Sequence, residues 1–456
     1  MAGIGFELRK LMRKGTYAGL FRAYAYAGVV SAGPWVLSIV AILVIGVMSL
    51  AVVSPEVLIT QFQVSVTFLL VSSIIFTGPV QLAFTRWVAD RLFEKKDALV
   101  MPNFMGLLLC VMAAAGTTGI VLLFALFGGL SDMYRVLMLS GFVILCCVWT
   151  TTIFLSGMKR YRAIVSLFAL GYSITVAAAL ALRPLGTEGL LFGFVIGHFV
   201  LLTGMVTLVI REFPAPRLVA FDFARRGAMF PALAASGLLY HLGIWADKFI
   251  FWYSPETGSR VIGPLHASVI YDMPVFLAYL AIIPGMAVFL VRIETDFAEY
   301  FEKFYEAVRA GSSIDFIEGM REEMVFTIRQ ALAEIVKIQG MAVLVVFATG
   351  AWVLARLGIS ELYLPLLYIN VVSAGLQVVL LGILTVCYYL DKRAAVVGLT
   401  ALLVTANVAL TLATLALGAP WYGYGFAAAL LVTVVAGVRV LESKLGRLEY
   451  ETFMLQ

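Results

Sequence analysis

Of 456 residues, 62% are hydrophobic and only 13% charged, and the mean hydropathy is +1.01. Those values exclude a soluble globular domain. The net charge of +5 is no nucleic-acid signal, because the bases sit in short loops that face anionic lipid headgroups.

Residues 1–23 open the chain with Ile4, Leu8, Leu11 and Met12 at helical spacing and Glu7, Arg9, Lys10, Arg13 and Lys14 on the other face. This pattern predicts an amphipathic helix lying at the membrane interface on the cytoplasmic side. No short apolar core followed by a small-residue cleavage site is present, so no cleaved signal peptide is expected. Twelve apolar stretches follow, at about 24–52, 61–84, 100–128, 133–156, 163–183, 188–210, 228–251, 264–291, 334–355, 362–387, 394–417 and 421–441. Each is long enough to cross a hydrocarbon core of about 30 Å as a helix. With the N-terminus placed in the cytoplasm, 27 of the 32 Lys and Arg fall on the cytoplasmic side. The opposite side receives only Arg135, Arg183, Arg260 and Arg356, and Lys248 lies within a span. The positive-inside bias therefore predicts that both termini are cytoplasmic. Cys110, Cys146, Cys147 and Cys387 all fall inside spans without metal-ligand spacing, so neither a disulfide nor a metal site is expected.

The halves repeat. The second stretch ends GPVQLAFTRWVAD and the eighth ends IPGMAVFLVRIETD, each with an Arg followed four residues later by an Asp: Arg86 with Asp90, and Arg292 with Asp296. Gly193 and Gly425 match at an offset of 232, against 206 for the arginines. A longer loop in the second half accounts for the difference. This predicts an all-α membrane protein of 12 transmembrane helices in two parallel six-helix lobes, the first over 24–210 and the second over 228–441. A linker, 211–227, joins them, and 442–456 forms a cytoplasmic tail. The second lobe carries a cytoplasmic insertion at 292–333, where Phe297, Phe301, Phe304 and Val308 oppose Glu299, Glu302, Lys303 and Glu306. The pattern predicts one amphipathic helix there and a second near 314–330.

Charges within a bilayer usually face a cavity or a partner. The seventh stretch carries His241, Asp247 and Lys248, and the eighth carries Asp272. Two arrangements suit them: Asp272 pairs with Lys248 or His241, or Asp247 and Lys248 snorkel to the outer surface. Tyr24, Gly28, Ser31, Trp35 and Ser38 form a polar and aromatic stripe in the first stretch; Gly237, His241, Trp245 and Lys248 form another in the seventh. Amphipathic rings beside charges and hydroxyls suit sugars, whose apolar faces stack while their hydroxyls hydrogen-bond. Substrate-path candidates are therefore Ser31, Trp35, His241, Trp245, Lys248, Asp272 and Tyr279 in an inter-lobe cavity. Arg86 and Arg292 are candidates for its cytoplasmic entrance, and Pro34, Pro79 and Pro284 for hinges. There is no Walker A, DxD, GxSxG or HExxH motif, which argues against ATP hydrolysis or glycosyl transfer by this chain.

The opening MAGIGFELRKLMRKGTYAGLFRAYAYAGVVSAGPWVLSI, together with GPVQLAFTRWVADRLF and YDMPVFLAYLAIIPGMAVFLVRIETDF, resembles the PelG family of inner-membrane exopolysaccharide transporters. The twelve-helix plan resembles the wider multidrug/oligosaccharidyl-lipid/polysaccharide exporter superfamily, which is MATE- or flippase-like. The resemblance implies export of a cationic, N-acetylgalactosamine-containing polysaccharide across the bacterial inner membrane during biofilm formation, with no enzymatic activity and no cofactor. It also implies partners: a cytosolic PelF-like glycosyltransferase, a PelD-like cyclic-di-GMP receptor and a PelE-like repeat protein, alongside membrane lipids. Two other readings fit the residues. One is a scaffold that anchors the glycosyltransferase through 297–330; the other is a cation-coupled small-molecule antiporter of the same superfamily.

Overall fold

A computed structural model describes residues 17–50, 52–158 and 160–454. Of the amphipathic helix predicted at 1–23, residues 1–16 lie outside them, and 17–23 are the first turns of the helix that carries the first apolar stretch. Helix makes up most of each of the twelve apolar stretches. The first half contains α1 (Tyr17–Ser49), α2 (Val57–Phe93), α3 (Val100–Leu126), α4 (Asp132–Gly157), α5 (Tyr161–Leu182) and α6 (Gly186–Glu212). The second contains α7 (Pro231–Tyr253), α8 (Val269–Leu280), α9 (Ile283–Val291), α10 (Ala298–Arg309), α11 (Ile314–Arg356), α12 (Leu364–Tyr389), α13 (Arg393–Ala416) and α14 (Tyr424–Gly446), and α15 (Leu448–Met454) closes the chain.

Among the described residues, eight helical segments are long and apolar enough to cross a bilayer, or nine when α8 and α9 are taken as one bent span. That count takes Arg162–Glu212 as one segment, although a 3-10 turn at Arg183–Leu185 and the left-handed Gly186 (φ +67°) separate α5 from α6. The helix α7 is not among the eight, and it carries His241, Asp247 and Lys248.

Two expectations need correction. The eighth stretch is not one straight span: it opens in strand β2 (Leu265–Ala267), which pairs antiparallel with β1 (Ser259–Ile262), and α8 and α9 then meet at a bend of 41°. Nor is there a separate helix near 314–330, because α11 runs 43 residues without interruption from the insertion through the ninth apolar stretch.

The chain forms two compact units. One comprises Pro34–Trp245 and Phe251–Ser268; the other comprises, of the described residues, Tyr17–Gly33, Ala246–Ile250 and Val269–Met454. In the first unit, Gly193 of α6 lies so close to α5 that a Cβ would come within 2.2 Å of the Ala179 nitrogen. In the second, a Cβ on Gly425 of α14 would come within 2.6 Å of the Thr411 nitrogen of α13. Ala179 and Thr411 stand 232 positions apart, as do Gly193 and Gly425. Each glycine thus lets a sixth helix press its backbone onto a fifth, the small-residue packing that membrane helices favour.

The break between α8 and α9 has a local cause. Pro284 supplies no backbone N–H, so the turn leading into α9 cannot close its ladder. Gln339 of α11 donates from Nε2 to the Ala281 carbonyl at 2.8 Å. Gly285 and Gly375 leave room for that side chain: a Cβ on either would come within 2.4 or 2.7 Å of it.

Candidate functional site

The deepest charges in the second unit are Asp247 and Lys248, with relative exposures of 0% and 2%. Successive helical residues point about 100° apart and do not ordinarily face each other. Here the long lysine arm folds back, so that Nζ donates to Asp247 at 3.1 Å from Oδ1 and lies 3.0 Å from Oδ2. Two further helices complete the carboxylate's shell. The Tyr271 hydroxyl of α8 donates to Oδ2 at 2.6 Å, and Asn407 Nδ2 of α13 donates to Oδ1 at 3.2 Å. Thr411 in turn donates to Asn407 Oδ1 at 2.8 Å, which fixes the amide's orientation.

The ammonium is surrounded as well. Its Nζ lies 3.4 Å from the Tyr279 hydroxyl, 4.0 Å from the centroid of Phe426 on α14 and 5.5 Å from that of the Tyr279 ring. Tyr279 donates its own proton to Gln377 Oε1 at 2.9 Å, which turns an oxygen lone pair toward the ammonium. Desolvating two charges is expensive, and only such a complete set of partners offsets it.

This geometry differs from both sequence arrangements. Lys248 pairs with its neighbour Asp247 rather than Asp272, and neither charge snorkels to the surface. Asp272 occupies the first turn of α8, partly buried. Tyr271, Gln377, Asn407 and Phe426 were not singled out from sequence. Asn407 and Gln377 were nonetheless detectable as amides within apolar runs.

The remaining candidates are dispersed. His241 is partly buried in the N-terminal part of α7, which belongs to the other unit, its Nδ1 making no hydrogen bond, beside a tight helix crossing where a Cβ on Gly237 would come within 2.2 Å of the Gly78 carbonyl oxygen. Trp245 packs with its ring centroid 6.5 Å from that of Trp252. The side chains of Ser31 and Trp35 lie outside the described residues, although their backbone belongs to α1. Of the proposed hinges, Pro34 and Pro79 sit inside continuous helices, whereas Pro284 sits at the break.

Arg86 and Arg292 each pair with the Asp four residues on, at 3.1 Å to Asp90 and 2.8 Å to Asp296. Arg292 does more. It opens a π-helical turn (Arg292–Phe297) and reaches Glu334 of α11 through Nε and Nη2 at 2.6 and 2.8 Å. Burial opposes the charge on Arg292, yet its hydrogen bonds to Glu334 and Asp296 outweigh that and hold its pKa above the ordinary value. Among the described residues, no group of three or more His, Cys, Asp or Glu could hold a metal ion.

Solved structures with a similar fold are membrane transporters. An outward-facing multidrug resistance MATE family transporter of the MOP superfamily superposes with a TM-score of 0.64 at 13% identity, over 93% of this chain and 96% of that one. A MOP superfamily transporter from Pyrococcus furiosus gives 0.64 at 12% identity, over 93% and 96%. The Vibrio cholerae MATE transporter VcmN gives 0.62 at 14% identity, over 99% and 100%. No curated protein matches the chain. The family model for PelG, described as "Putative exopolysaccharide Exporter (EPS-E)", matches residues 1–453. With that match covering nearly every residue of a multi-pass transporter fold, the chain belongs to the PelG family of exopolysaccharide exporters and is a membrane transporter rather than an enzyme.

Proposed function

We propose that this protein exports a Pel-type polysaccharide, cationic and containing N-acetylgalactosamine, across the bacterial inner membrane with both termini in the cytoplasm. It works with a cytosolic PelF-like glycosyltransferase, a PelD-like cyclic-di-GMP receptor and a PelE-like repeat protein. The observation that carries this reading is the family match over residues 1–453. Basic residues concentrated on one side of the predicted spans support the orientation.

In this reading Trp35, Ser31, His241, Trp245 and Asp272 contact the sugar or balance its charge. Lys248 and Tyr279, enclosed in the buried cluster, serve charge balance within the second unit instead of touching substrate. Arg86 and Arg292 flank the entrance. Pro34 is a hinge, which is supported by the division of the chain into compact units between Gly33 and Pro34.

The test is polysaccharide release from cells carrying Asp272→Asn or Trp35→Ala, with membrane insertion and glycosyltransferase recruitment measured in parallel. Export lost with insertion and recruitment intact supports the assignment. Normal export from both variants discards these residues as the path and transfers the function to a scaffold role. Cation-dependent drug efflux without any need for a glycosyltransferase would identify a small-molecule antiporter.

A further inference from the structure

The polar groups around Lys248 Nζ have the composition of a monovalent-cation site. Two carboxylate oxygens of Asp247 lie at 3.0 and 3.1 Å, a phenol oxygen at 3.4 Å, and an aromatic face at 4.0 Å. An ammonium over a ring at that distance is held by the ring quadrupole as well as by charge. The groups that contact the ammonium are themselves held in place. Tyr271 and Asn407 hold the carboxylate, and Gln377 holds the phenol proton away from the cation.

We infer that Asp247, Tyr279 and Phe426 build a cage for a monovalent cation that the chain fills with its own lysine, so that no free cation is taken up there. The tether makes occupancy intramolecular. A cation attached one residue away has an effective concentration that dissolved Na+ or K+ does not match. The buried charge of Asp247 is therefore neutralised permanently and locally, and any ion coupling during export must use groups outside this cage. The inference goes beyond the export reading and does not depend on the polymer's identity.

The experiment follows thermal unfolding of the purified full-length protein in nanodiscs, titrated with NaCl, KCl or methylammonium chloride against choline chloride at matched ionic strength. The wild type is expected to show no saturable shift with any of them. Lys248→Ala, which leaves Asp247 buried without its counter-ion, is expected to unfold at lower temperature and to recover at least half of that loss, saturably, with methylammonium or Na+. Asp247→Asn/Lys248→Met, with no charge to neutralise, is expected to ignore all three salts. A saturable wild-type shift with Na+ or K+ would overturn the inference, because the cage would then be open to a free ion. A folded Lys248→Ala that ignores every cation would overturn it too. Should Lys248→Ala resist purification, extraction with methylammonium present decides: monodisperse protein supports the cage, and continued aggregation overturns it.

Discussion

On α2, Ser65 and Ser73 are fully buried. Ser65 Oγ lies 2.6 Å from the Tyr134 hydroxyl, and Trp149 donates to Ser73 Oγ at 3.0 Å. At the offset of 206 that relates Arg86 to Arg292, the same positions on α8 are Tyr271 and Tyr279, which hold Asp247 and Lys248. The fifth helices differ in the same sense: Thr175 of α5 bonds to its own helix, while Asn407, 232 positions later, reaches the Asp247 carboxylate. Both halves thus keep polar groups at matching positions of the repeat. The first fills these positions with hydroxyls satisfied by neutral neighbours, and the second with larger groups around a full ion pair. A duplicated fold can carry charge in one copy when helices in that copy supply enough donors, and the copies need not share the job.

The sharpest test of this contrast is charge removal. Asp247→Asn strands the Lys248 ammonium and should destabilise the protein by about 3–5 kcal/mol, the usual consequence of breaking a buried pair. Ser73→Ala removes one neutral hydrogen bond and should have an effect of about 1 kcal/mol. Thermal unfolding of both variants in one lipid system measures the ratio. Equal losses would end the claim that the two halves differ in what holds them.

Next in size is the broken span. On α2, Gly78 and Pro79 lie within continuous helix whose hydroxyls bond back to the preceding turn, Thr77 to the Ser73 carbonyl at 2.8 Å for example. The bend between α8 and α9 depends instead on Gln339 capping Ala281. Gln339→Leu leaves that carbonyl unpaired and should destabilise by about 1–3 kcal/mol, whereas Thr77→Val, which deletes a bond within its own helix, should change stability by under about 1 kcal/mol. The entrance candidates give a third, smaller contrast. Arg292→Gln loses a forked contact to Glu334 as well as Asp296 and should lose about 1–2 kcal/mol. Arg86→Gln loses one half-exposed pair and should stay within about 0.5 kcal/mol.

Much of this was legible from sequence, for identifiable reasons. Long apolar runs report on the bilayer itself, so helix makes up most of every stretch, although the eighth opens in a strand and is broken at a bend. The Arg–Asp spacing of the repeat reappears as two observed ion pairs. The buried cluster was not legible because its members come from α7, α8, α12, α13 and α14, and sequence does not show which helices adjoin. The pairing of neighbours along one helix also runs against the usual spacing rule, which made Asp272 look the better partner for Lys248. The bend at Ala281 had a visible cause in Pro284, but the amide that caps it lies 58 residues away.

The smallest predicted effect concerns acid and the end of the chain. Glu451 of α15 is held between Lys392 and Lys444, bonded to Lys444 at 3.0 Å, and these hydrogen bonds, that to Lys392 first, lower its pKa below the ordinary value. Glu94 in the first half is also lowered, by Lys96 and Arg91, but it is an exposed residue that pairs only with close sequence neighbours. Because the docked form of α15 has the lower pKa, the undocked form binds protons more readily, and falling pH favours release. The stabilisation is complete above the usual glutamate range near pH 4.3 and disappears as pH falls through the depressed value. A spin label at Phe453→Cys in a Cys110→Ser background should therefore report an immobile α15 at neutral pH and rising mobility below about pH 4. Lys392→Met should raise that midpoint toward the ordinary range, since one of the two groups that depress it is gone. A label equally immobile at pH 7 with and without Lys392 would show that the buried side of α15, with Leu448 and Thr452, holds it without the Lys392 ion pair.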